Sequence, residues 1–88
     1  MALIHLTVVT PEGKPYDGDI QRVIVRTTGG DVCILPRHID YAAALSKGEG
    51  HLVTEKEEAR YFRIDGGMLH VSNNEAHIIT NAFDWKDQ

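Results

Sequence analysis

The sequence predicts an all-β fold, a small two-sheet β-sandwich of about eight to ten short strands. Three observations predict it. Apolar and polar residues alternate with a period of two through most of the chain. Turn-forming residues recur roughly every ten positions. No stretch carries the apolar stripe of a useful amphipathic helix. The 88 residues read as one domain, 1–88, with a single core. A chain this short hides only roughly 60–65% of the surface its unfolded form exposes, so docking on something larger is expected to support it.

The first strand is "LIHLTVV" (3–9), where Ile4, Leu6 and Val8 alternate with His5, Thr7 and Val9. The turn formers of "TPEGKP" (10–15) interrupt it. In "IQRVIVRT" (20–27), Gln21, Val23 and Val25 share one face, and Arg22, Ile24 and Arg26 the other. After "TTGGD", the run "VCIL" (32–35) is apolar on both faces and predicts a central, doubly covered strand, stopped by Pro36. "GEGHLVTE" (48–55) and "ARYFRID" (59–65) form a hairpin across the charged turn, although "EKEE" favours helix by propensity. In "GGMLHVSNNEAHIITN" (66–81), Asn73 and Asn74 supply two left-handed positions for a tight turn. Pairing Ser72 with Glu75 then sets His70 opposite His77, with Leu69 and Val71 sharing a face with Ala76 and Ile78.

Composition excludes several functions. The formal charge is −4, with both signs interspersed, so there is no basic stripe to capture nucleic acid or anionic lipid. The 42% hydrophobic and 25% charged fractions suit a soluble globular chain rather than a disordered one. Cys33, between Val32 and Ile34, reads as a buried, inert thiol in a reducing compartment. "MALIHLTVV" lacks the features of a secretory leader, and no apolar run approaches the ~20 residues of a membrane-spanning helix.

Catalytic readings fare poorly. Five histidines (His5, His38, His51, His70 and His77) invite a metal site, yet there is no His-x-His, Cys-x-x-Cys or His-Glu-x-x-His. Cys33–His38 and Ser46–His51 carry no nucleophile motif, and five extended residues separate their members by roughly 15 Å. "SKGEG" is no phosphate loop. Asp84 and Asp87 read as a solvated tail, and Trp85 as packing back on its own domain or meeting a partner. No catalytic residue, metal or cofactor is expected. The unusual stretch is "PRHIDYAAAL" (36–45), a proline corner followed by small residues in neither helical nor alternating order. It reads either as a core strand crossing between sheets or as a docking edge.

With these residues, the chain resembles the N-terminal β-sandwich domain of the epsilon subunit of F-type ATP synthases (delta in mitochondria). "HLTVVTPEG" (5–13), "GDVCILPRH" (30–38), "LSKGEGHL" (45–52) and "IDGGMLHVSNNEAHIIT" (64–80) carry the resemblance. Their order and spacing are specific where no single piece is. Arg37 departs from the family's usual glycine, adding a charge and excluding a glycine-only backbone. Cys33 also replaces a common glycine. The 88 residues stop where the family continues into a two-helix hairpin, so none is expected here. The resemblance implies a non-catalytic central-stalk subunit that links gamma to the membrane c-ring and couples proton translocation to ATP synthesis. It implies a peripheral position on the cytoplasmic face of the cell membrane. It places Thr10, Asp31 and Asp65 in turns at the end approaching the c-ring, and Arg37, His38, Ile39 and Tyr41 at the gamma contact. A small cupin-like metal-dependent enzyme using His38, His51, His70 and a carboxylate, or a free-standing β-sandwich adaptor, are the alternatives.

Overall fold

The computed structural model describes residues 2–86. Seven strands make up its regular structure: β1 (Ile4–Thr10), β2 (Gly13–Thr27), β3 (Gly30–Ile34), β4 (Tyr41–Thr54), β5 (Ala59–Ser72), β6 (Glu75–Ile79) and β7 (Phe83–Trp85). They run in the order β1-β6-β5-β4-β2-β3, and a further β1–β2 pairing closes five of them into a ring. β3 hangs on β2, and β7 on β5. The all-β sandwich is as the alternation predicts. Its strands are fewer and longer, because β2, β4 and β5 are each continuous through both layers. The first half of β2 pairs with β1 and its second half with β3 and β4. β5 pairs with β7 through Phe62–Ile64 and with β6 through Met68–Ser72.

The period-two residues make the core. Leu6, Val8, Ile20, Val23, Phe62 and Leu69 are fully buried. Tyr16, Phe83 and Trp85 pack against them from the side. Trp85 packs back on its own domain: its ring stands edge-on to Phe83 and Phe62, and the Arg60 guanidinium lies 3.7 Å from its centroid. Asp84 is exposed; Asp87 lies outside the described residues.

Turn chemistry follows the sequence at two hairpins. Asn73 and Asn74 take φ of 53° and 62°, and His70 faces His77 as the two-residue turn requires. At "EKEE" the strand reading holds against helix propensity: Glu57 takes the left-handed position (φ 65°), and Thr54 Oγ1 accepts the Lys56 and Glu58 amides.

Three expectations are corrected. "VCIL" is not a doubly covered strand: β3 lies at the sheet edge, with Ile34 buried but Cys33 exposed and Leu35 half exposed. An apolar residue in the outward phase looks the same in sequence whether a second layer covers it or solvent does. Cys33 is therefore not buried. The tract after Pro36 does alternate: Tyr41–Thr54 is one strand, with Ala42 and Ala44 outward and Leu45 buried. Arg37 does adopt the left-handed conformation (φ 64°) that its replacement of glycine was expected to exclude, which costs a non-glycine residue roughly 1–2 kcal/mol.

Candidate functional site

Asp31, Asp65 and Thr10 lie along one connected band. The β2–β3 hairpin that carries Asp31 donates the Thr28 amide to Ala44 O (3.0 Å), and Leu45 pairs with Gly67. Gly67 has φ 116°, and a Cβ there would overlap the Ile79 carbonyl and stand 2.8 Å from Thr80 Cα. Only glycine lets β5 cross so close to the end of β6. Thr80, itself buried, donates its amide to Val9 O (3.0 Å), and its hydroxyl accepts the Asp65 amide (3.3 Å). Asp65 thus sits within β5, beside the Gly66–Gly67 bend, rather than in a turn. Thr10 ends β1, where its hydroxyl accepts the Glu12 amide, and Asp31 is the second residue of β3. All three are accessible, and Asp31 is already engaged by Arg26 Nε at 3.0 Å. That carboxylate holds the Arg26 guanidinium above its ordinary pKa.

Arg37, His38, Ile39 and Tyr41 lie at the opposite end of β6. The Arg37 amide donates to Asn74 Oδ1 (2.8 Å), while Asn74 Nδ2 donates to Leu3 O (2.9 Å). One asparagine therefore ties the proline corner to the start of β1. Arg37 is exposed, and Ile39 is 78% exposed, the most open large hydrophobic residue described. His38 Nδ1 contacts Ile39 O at 2.7 Å, and its ring stands edge-on to Tyr41. Tyr41 is half-buried and packs against the core, so it supports the corner from within.

Between the two ends, β4, β5, β6 and β1 present one outward surface. Ala44 pairs with Met68, Met68 with Ile79, and Ile79 with Val9. All four are exposed, with Met68 at 53% and Ile79 at 57%. A pocket of about 420 Å³ opens beside this row, lined by Val9, Thr10, Pro11, Gly67, Met68 and Ile79. A contiguous apolar row of this kind is the usual mark of a protein contact. It was missed in the sequence because each member sits alone in the polar phase of its strand. The only signal was Val9 following Val8, Met68 preceding Leu69, and Ile79 following Ile78.

Below that row, His70 and His77 stand opposite each other, and Thr7 continues the register on β1. His77 Nε2 is 3.4 Å from Glu75 Oε1. His5 lies lower still, paired with Glu75 on β6, and is clasped by two acids of β2: Nδ1 to Asp19 at 2.8 Å and Nε2 to Asp17 at 2.6 Å. The hydrogen bonds to Asp19 and then Asp17 raise the pKa of His5 above its ordinary value, and His5, with Lys14, lowers that of Asp17. Elsewhere, Lys86 and then Arg63 hold the Glu49 carboxyl below its usual range, at 2.9 and 3.3 Å.

Among the described residues, no group of three His, Cys, Asp or Glu side chains is placed to hold a metal. The cupin-like alternative therefore finds no ligand set there: the His51 ring lies tilted against Tyr61, and His38 Nδ1 meets the Ile39 carbonyl. No helix among these residues is long and apolar enough to cross a membrane.

The family model described as the ATP synthase delta/epsilon chain, beta-sandwich domain, matches residues 3–86. The chain belongs to this family. It is 39% identical over 82 residues to the ATP synthase epsilon chain of Alkalihalophilus pseudofirmus, covering 93% of this chain and 61% of that one. It is 34% identical over 85 residues to the epsilon chain of Clostridium acetobutylicum, covering 97% and 64%. The chain thus spans less than two thirds of the length of these relatives. In fold it superposes on a chain of the Euglena gracilis mitochondrial ATP synthase OSCP/F1/c-ring assembly with a TM-score of 0.91 at 22% identity, over 97% of this chain and 54% of that one. A chain of the Tetrahymena thermophila mitochondrial ATP synthase central stalk and c-ring gives 0.75 at 19% identity, over 90% and 63%.

Proposed function

We propose that this epsilon-type domain is a non-catalytic central-stalk component of a rotary F-type ATP synthase, peripheral at the cytoplasmic face of the membrane. It joins gamma to the c-ring so that proton translocation is coupled to ATP synthesis. Family membership across residues 3–86 supports the class of protein, and the outward apolar row supports the mode of action. That row, Ala44–Met68–Ile79–Val9, is the observation that carries the reading. In this reading, gamma covers the surface from the Arg37–Tyr41 corner up to the row, and the c-ring meets the band of Thr10, Asp31 and Asp65. Buried area and shape complementarity, rather than any reacting group, perform the task.

The test is reconstitution onto a catalytic-head complex that contains gamma and lacks this subunit. Ile79→Glu or Met68→Glu should abolish capture, because each buries an unpaired charge in the contact. Retention of both variants at wild-type affinity overturns the gamma assignment. For the other end, Asp31→Lys should weaken assembly with the c-ring in a salt-dependent way, as an exposed interfacial charge does. Equal assembly at low salt removes Asp31 from that contact.

A further inference from the structure

We infer that the docking surface is conditional on pH, because a partner that covers it must bury the facing pair His70 and His77 without a proton on His70, the member that has no carboxylate beside it. This rests on the docking reading above. The pair lies one register below the apolar row: His70 is two residues from Met68 on β5, and His77 two residues from Ile79 on β6. Two residues along a strand span about 6.8 Å, and four strands span about 14 Å. A stable contact of about 800 Å² on each partner is far larger than the row. A partner reaching from Ile39 to Ile79 crosses the imidazoles on its way.

Among the described residues, only His77 of the pair has a carboxylate beside it. Across β4, His70 faces Ala42, and no carboxylate contacts it among the described residues. His77 has Glu75 at 3.4 Å, and Thr7 on its β1 side. The nearest further acids, Asp17 and Asp19 on β2, are both held by His5, and Lys14 also binds Asp17. Asp40 is exposed, just before β4 begins. Like charges facing each other across two strands repel, and each would also lose its water on docking. Neutral imidazoles can instead share hydrogen bonds with each other or with the partner. Proton uptake therefore favours the undocked state.

The experiment measures the dissociation constant of the chain on the gamma-containing complex at pH 7.5 and 5.5. An interface that excludes one proton loses affinity by up to tenfold for each pH unit over which the undocked chain takes that proton up. For wild type, the constant at pH 5.5 should exceed that at pH 7.5 by about tenfold, and for His70→Gln the ratio should stay within about twofold. His70→Lys should bind weakly at both values. A His5→Gln control should keep the wild-type ratio, since His5 is already charge-paired. Equal ratios in wild type and His70→Gln overturn the inference. Ile79→Glu separates the two readings. If it does not weaken binding at pH 7.5, the docking surface itself is wrong; if it does while wild type is insensitive to pH, only the pH-conditional docking falls.

Discussion

The two ends of β6 are built in opposite ways. At the Thr80 end, backbone meets backbone: Gly67 crosses against the Ile79 carbonyl, Thr80 is buried, and its amide and hydroxyl both bind neighbouring strands. At the Asn74 end, one exposed side chain bridges the corner to β1, and the corner's own side chains mostly face solvent. The first end has no room for change and holds the sheets in register. The second has room, and can carry residues chosen for a partner rather than for folding. Arg37 shows this, a non-glycine residue that holds a left-handed position there.

The largest effect that could break this contrast is at the tight end. Gly67→Ala meets both a clash with backbone and a strained φ, so it should cost about 3 kcal/mol or more in urea unfolding. A cost under about 1 kcal/mol would mean that β5 and β6 can separate freely there. Asn74→Ala comes next. It removes an acceptor from Arg37 and a donor from Leu3, and places alanine at φ 62°; about 1–3 kcal/mol is expected. Asn74→Gly should recover the backbone part of that loss but not the hydrogen bonds.

The His5 clasp predicts a pH dependence of smaller size, since all its members are exposed. Folding raises the pKa of His5, so its contribution is fully present below the unfolded value of 6.5 and is lost as pH rises through the higher folded value. Asp17 is lowered, so its contribution is present above 3.8 and lost as pH falls through the lower folded value. Chemical denaturation should show the wild-type advantage over His5→Gln shrinking above neutrality. An advantage that grows with pH would contradict the clasp. Smallest of all, Arg37→Ala should change stability by less than about 0.5 kcal/mol, as at an open surface site. Arg37→Gly should be neutral or slightly stabilising, because relief of the left-handed strain offsets added chain entropy. A loss of several kcal/mol in either would make the corner structural.

Much of this domain was legible because side-chain alternation is a local property. Whether a residue points in or out depends on its parity within the strand, so Leu6, Val8, Val23, Leu69 and Ile78 could be assigned to the core without knowing any partner strand. The Asn73–Asn74 hairpin was equally legible, since two adjacent asparagines tolerate the left-handed backbone that its turn demands. The edge position of β3, the continuity of β4 through the alanine tract, and the exposure of Cys33 were not. Those depend on hydrogen bonds between distant segments. The apolar row is the clearest case: Val9 and Ile79 come from opposite ends of the chain and meet only because β1 and β6 pair in parallel, one register setting both outward. The sequence by itself determined the all-β class, the inward phase of most strands and the Asn73–Asn74 turn. Only the tertiary structure decided which outward residues stand side by side, because strand order and register are long-range choices that no local pattern records.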